Sequence, residues 1–235
     1  MNVINKRYLS RDYLNNNPSW DVEDSPWKAM HVEKTLAAAD INPKLICEVG
    51  CGAGGVLSSL KGYYPGVKLS GYDIAPDAEK FWHKIREEGI DLYVGDFFSL
   101  NKTKYDVVLL LDVLEHISDP HQFLSNIKPF SEHVVIHFPL DLSVLSVLRE
   151  SPLLHVRRKV GHIHFFTKGL ALEFLDECDM EILAWNYTNA AFSAPQRSVK
   201  TKLMGMLRKF IYLFNKDAGV RLIGGETLMV VAKFK

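Results

Sequence analysis

A short apolar run that empties into a cluster of glycines limits most sharply what this chain can become. Leu45–Val49 is followed at once by Gly50-Cys51-Gly52-Ala53-Gly54-Gly55 and then by a helical stretch, Val56–Lys61. Gly50 and Gly52 let the backbone turn tightly and let a ligand touch it. The helix behind them offers unbonded N–H groups and the positive end of its dipole. The same rhythm continues along the chain. Val67–Tyr72, Leu92–Val94, Val107–Leu111 and Val134–Phe138 read as strands, with helices over Ala78–Glu87 and Pro120–Ile127. Five consecutive apolar residues in Val107–Leu111 suit a strand covered on both faces. Before the first strand, Pro26 after Ser25 opens a helix to about Asp40. Later, Thr167 caps a helix over Lys168–Cys178, Met180–Tyr187 and Thr227–Phe234 are strands, and Val199–Phe214 lies between them as a helix. Alternation of this kind predicts an α/β fold, a doubly wound and mostly parallel sheet with helices on both faces. Ligands of such sheets bind beyond the carboxyl ends of the strands.

Composition removes several functions. The 235 residues carry 28 basic and 28 acidic side chains, a net charge of zero. Bulk nucleic-acid binding needs a basic field, so nucleic acid is not the expected partner. Three cysteines, Cys47, Cys51 and Cys178, form neither a secreted framework nor a zinc-site spacing. Met1–Asn17 is polar, unlike a secretory leader, and no stretch is apolar enough to span a bilayer; a cytoplasmic location is expected.

Ligand-type side chains recur at successive strand ends. Glu48 precedes the first glycine. Asp73 closes the second strand, where a carboxylate can accept hydrogen bonds from both hydroxyls of a ribose. Asp96-Phe97 follows the third strand, an acceptor beside an aromatic face that suits an adenine. Tyr105–His116 ends the fourth.

This series resembles the class I S-adenosylmethionine-dependent methyltransferases. Glu48–Gly54 is similar to that family's acidic, glycine-rich first motif. Asp73 matches its ribose-binding acid, Asp96 its adenine-binding acid, and Asp106–His116 the strand and loop beside the donor's methionine part. Gly161-His162-Ile163-His164-Phe165-Phe166-Thr167 resembles a segment of the subgroup that contains the ubiquinone-biosynthesis methyltransferases. The resemblance implies a seven-stranded sheet in the order 3-2-1-4-5-7-6, with Thr227–Phe234 as its antiparallel strand. It implies S-adenosylmethionine as cofactor, released as S-adenosylhomocysteine, and a donor site formed by Glu48, Gly50, Cys51, Gly52, Gly54, Asp73, Ile74, Asp96, Phe97 and Leu111. The glycine pattern also fits a dinucleotide-dependent oxidoreductase, against which stand Glu48 inside the strand and the Asp96-Phe97 pair. A non-catalytic donor-binding subunit is the third reading.

The acceptor is less legible. A small-molecule or lipid-linked metabolite, methylated at oxygen, is expected, and an oxygen acceptor needs a base. His116 and His162 are the candidates, with His137 and His164 in or near the same rim. If helical, Asp112, Glu115 and His116 share one face and could bind a divalent cation, although no metal is expected. Residues 1–43, with Trp20, Asp21, Glu23, Asp24 and Trp27, form a cap or lid on the domain of residues 44–235. Leu153–Lys159 is a charge run that reads as a solvated face or, placed just after the fifth strand, as a partner for a phosphate or carboxylate on the acceptor. A helical insertion over about 197–218 is basic and amphipathic. It packs its apolar face on the pocket or a partner subunit, or makes peripheral membrane contact through 197–216. Oligomeric state is left open.

Overall fold

In the computed structural model, residues 19–20, 22–193 and 199–235 are described, apart from the side chains of 193, 199–204 and 207. The first part of the expected cap, with Asp21, and Arg197 of the insertion lie outside the described residues. Seven strands form one sheet: β1 Leu45–Val49, β2 Lys68–Asp73, β3 Asp91–Val94, β4 Tyr105–Leu111, β5 Ser131–Pro139, β6 Met180–Tyr187 and β7 Thr227–Phe234. Their order is β3-β2-β1-β4-β5-β7-β6. All neighbouring pairs are parallel except those of β7, which is antiparallel to β5 and β6. This is the arrangement that the resemblance implies.

Helices alternate with the strands. They are α1 Ser25–Ala38, α2 Gly55–Tyr63, α3 His83–Glu87, α4 Phe97–Leu100, α5 Pro120–Ile127, α6 Val144–Arg149, α7 Ser151–Lys159, α8 Lys168–Glu177, α9 Ala190–Ser193, α10 Val199–Phe214 and α11 Lys216–Ile223. The pleat of β4 divides them. Val107, Leu109 and Leu111 face a core built with Val32 and Leu36 of α1 and Leu57 and Leu60 of α2. Val108 and Leu110 face a second core with Leu124 and Ile127 of α5 and Phe174 and Leu175 of α8. Val107 through Leu110 are fully buried, so each contributes about 1.5–3 kcal/mol of apolar burial.

One expected helix is divided. Pro76–Phe81 is a 3₁₀ turn, and α3 begins only at His83. Between them the buried Trp82 ring donates from Nε1 to the Gly52 carbonyl at 2.8 Å, so tertiary contact overrides helical propensity. The charge run Leu153–Lys159 is the larger part of α7, entered through Glu150 at φ +53° with Pro152 in its first turn.

Candidate active site

The turn after β1 is built by backbone contacts. Gly50 takes φ +77° and Gly52 φ +51°, conformations in which a side chain is strained. A Cβ on Gly50 would also lie 3.0 Å from Val113 Cγ2, and one on Gly52 3.1 Å from the Trp20 ring. The N–H groups of Gly50 and Cys51 both donate to the Tyr72 carbonyl, which ties the turn to the end of β2. Asp73 completes the tie: its Oδ2 accepts from Gly52 N–H and its Oδ1 from Ala75 N–H, each at 2.8 Å. Burial pushes the Asp73 carboxyl up to about 6, against the pull of those two bonds.

A cleft of about 370 Å³ opens at these strand tips, within the range of small-ligand sites. Of the expected donor-site residues, Glu48, Gly50, Cys51, Gly52, Asp73, Ile74, Asp96, Phe97 and Leu111 line it. Gly54 does not; at φ +77° it is the N-cap residue of α2. Asp96 divides its effort, because its Oδ2 caps α4 through Ser99 N–H at 3.0 Å and Ser99 Oγ at 2.7 Å. Phe97 is almost wholly buried, edge-on to Tyr72, Phe98 and Phe130 at 5.1–5.6 Å, so it forms a wall more than an open face.

Glu48 is a strongly perturbed acid on the wall. It is 3% exposed, and Oε2 has no hydrogen-bond partner among the described residues. Burial raises its pKa to about 8, opposed by the charge of Lys28 and aided by Asp73 and Asp112. Lys28, from α1, also lines the cleft and pairs with Asp112 Oδ2 at 2.7 Å. Asp112 Oδ1 meets His137 Nδ1 at 2.7 Å, and His137 Nε2 meets Thr227 Oγ1 at 2.7 Å. Burial raises the Asp112 pKa, but the charges and hydrogen bonds of His137 and Lys28 win and hold it well below the usual range. The network joins α1 to the ends of β4 and β5 and the start of β7. His137 is thereby a buried tie, and His164, bonded through Nε2 to the Ile117 carbonyl, is likewise outside the cleft lining.

His116 and His162 both reach the cleft, ring centroids 4.9 Å apart and edge to face. His162 Nδ1 lies 2.7 Å from Asp141 Oδ2, and its Nε2 is 3.9 Å from Glu115 Oε1. Glu115 is fully buried, and neither of its oxygens has a hydrogen-bond partner among the described residues. Burial, then the charge of Asp112, pushes its pKa well above the ordinary carboxylate value. Glu115, His116 and His162 bring one ligand atom each within 4.8 Å and could hold a cation. In the expected cluster Asp112 stood in place of His162, but its carboxylate is engaged by Lys28 and His137.

Sequence reasoning missed Lys28 and Asp141. Asp141 follows the fifth strand, so the strand-end rule that singled out Asp73 and Asp96 reaches it too. Of the cap, Trp20, Ser25 and Lys28 line the cleft.

Fold and cleft together define a Rossmann-like α/β protein whose cleft opens across the strand tips where the sheet order reverses, beside β1 and β4, the place where ligands of such sheets bind. Residues 28–176 match the family described as a methyltransferase domain, and the chain belongs to that family. A stretch of 126 residues is 27% identical to a ubiquinone biosynthesis O-methyltransferase of Glaesserella parasuis serovar 5 (strain SH0165), covering 46% of this chain and 52% of that protein. Another of 88 residues is 32% identical to the acetylserotonin O-methyltransferase of Bos taurus, covering 36% of this chain and 26% of that one. The matches thus span about half, or less, of the length of these relatives. Similar solved structures include the plantazolicin methyltransferase BpumL in complex with SAH, at a TM-score of 0.60 and 15% identity over 99% of this chain and 94% of that one. The magnesium protoporphyrin IX methyltransferase of Synechocystis PCC 6803 with bound SAH has a TM-score of 0.60 and 17% identity over 96% and 98%. At these identities the likeness is one of fold.

Proposed function

We propose that the cleft binds S-adenosylmethionine and that the chain transfers its methyl group to an oxygen of a small-molecule or lipid-linked acceptor. One observation carries this reading: Glu48, Asp73 and Asp96, from three neighbouring strand ends, line a single cleft beside the Gly50–Gly52 turn. The residues fit the donor. Glu48 Oε2, buried without a hydrogen-bond donor, suits the cationic amino group. Lys28 suits the carboxylate. Each Asp73 oxygen already holds one backbone N–H and keeps further acceptor capacity for ribose hydroxyls. Asp96 suits the adenine amino group, with Ile74 and Phe97 as flanking walls.

When bound, the donor supplies a methyl group already activated on a sulfonium. The protein therefore mainly aligns and encloses. In this reading His162 takes the acceptor's proton; its contact with Asp141 supports the role, because an Nδ1–H donated there leaves the Nε2 lone pair as the base. His116, edge-on to it, shares the proton-handling role. This chemistry uses no metal. The segment before β1 acts as a cap, contributing Trp20, Ser25 and Lys28 to the wall. Three free cysteines suit a reducing, cytoplasmic setting.

The test is calorimetry with S-adenosylhomocysteine, followed by methyl transfer to a panel of phenols and sugars. Micromolar binding with turnover of one acceptor class is the expected result. Absence of binding, or a larger thermal shift with nicotinamide cofactors, would overturn the donor assignment. Binding with no turnover across the panel would favour a non-catalytic subunit.

A further inference from the structure

We infer that the insertion between β6 and β7, together with α6 and α7, forms a surface that seats on an anionic lipid bilayer. The topology puts it on the cleft's side of the sheet. β6 and β5 are both antiparallel to β7, hence parallel to each other, so the insertion leaves and re-enters the sheet at the edge where the ligand loops lie.

Within the insertion, α10 is anchored by one face and open on the other. Arg208 Nε and Tyr212 Oη each donate to the Gly224 carbonyl at 2.9 Å, and Gly205 is buried against the Ala191 and Phe192 side of α9. The opposite stripe is apolar: Met206, Phe210, Leu213 and Phe214 are 63, 62, 83 and 79% exposed. A helix packed into a globular body shows the reverse pattern, with its apolar stripe inward. The expectation that this apolar face packs on the pocket is thus not met by these four side chains. α11 packs against both α10 and α6, and α6 presents a second exposed stripe of Val144, Val147 and Leu148. Side chains this large, exposed on two helices that both pack against α11, mark a surface that meets an apolar phase or a partner.

Charge selects the occupant. α6, α7 and α10 contain basic residues, among them Arg149, Arg157, Arg158, Lys159 and Lys209, and no acidic residue. An open groove on α7 is lined by Ser151, Leu154, His155, Arg158 and Lys159, of which Ser151, His155, Arg158 and Lys159 carry side-chain donors suited to a phosphate headgroup. A second copy meeting this surface about a two-fold axis would press like charges together. An anionic bilayer meets both the cations and the apolar stripes. No helix among the described residues is long and apolar enough to cross a membrane, so the contact lies in the interface plane.

Flotation of the full chain with vesicles tests this. Wild type is expected to float with phosphatidylcholine vesicles containing phosphatidylglycerol, less with phosphatidylcholine alone, and less as salt rises. The exposed double variant F210E/L213E is expected to lose vesicle affinity at least about tenfold while keeping wild-type affinity for S-adenosylhomocysteine, which reports an intact fold. Failure of wild type to float with anionic vesicles, equal flotation of the double variant, or a dimer that the variant splits without any lipid binding would each overturn the inference. Because donor binding is read separately, none of these results bears on the methyl-transfer reading.

Discussion

Donor binding should expel a proton from Glu48. In the donor-free protein, burial holds that proton to about pH 8. At pH 7 a group with that pKa is about nine-tenths protonated. A cationic amino group placed against Oε2 favours the ionised form and brings the pKa back to, or below, its ordinary 4.5. Binding at pH 7 then releases about 0.9 proton per donor. Between pH 8 and pH 6 the affinity for S-adenosylhomocysteine falls roughly 50-fold, about 2.3 kcal/mol. Calorimetry at pH 6, 7 and 8, in buffers with different heats of ionisation, measures both the slope and the proton count. Glu48→Gln keeps the shape of the side chain and removes the titration, so its affinity is expected to vary little over this range. Any remaining slope belongs to Asp73, whose pKa is raised to about 6. A wild-type affinity flat within twofold, or an unchanged slope in Glu48→Gln, would refute the placement of the amino group on Glu48. Stability carries the opposite sign. Above pH 4.5 the unfolded chain releases this proton while the folded, donor-free chain keeps it, so stability falls as pH rises toward 8.

Asp73→Asn separates two roles of one side chain: loss of its charged acceptors is expected to cost about 1–3 kcal/mol in urea unfolding and to weaken S-adenosylhomocysteine binding roughly 10- to 100-fold. Unchanged stability would contradict its hold on Gly52 and Ala75, and unchanged affinity would remove it from the ribose. Because His162 is already oriented by Asp141, methyl transfer is expected to survive dialysis against a chelator. A loss of rate restored by magnesium would convert Glu115, His116 and His162 into a cation site.

The parts of this molecule that were legible in the sequence are those whose cause is local. A strand buried on both faces must be apolar throughout, and Val107–Leu111 is; the cleft opens at the tips of such strands, and Glu48, Asp73 and Asp96 line it. What resisted reading depends on partners far along the chain. Lys28 looks like any surface lysine of an amphipathic helix until α1 lies over the sheet and sets it against Asp112. The helix expected over Ala78–Glu87 is broken because Trp82 reaches Gly52, a contact that no periodicity encodes. α10 shows the limit most clearly. Its amphipathic pattern is plain from Val199 to Phe214, but periodicity states only that two faces differ, not which one the fold keeps. The bonds from Arg208 and Tyr212 to Gly224 decide it, and they turn the polar-bonded side inward and Phe210, Leu213 and Phe214 out. A sequence can thus announce a surface-active helix and still leave open whether its apolar side is core or contact; only the anchoring hydrogen bonds resolve that choice.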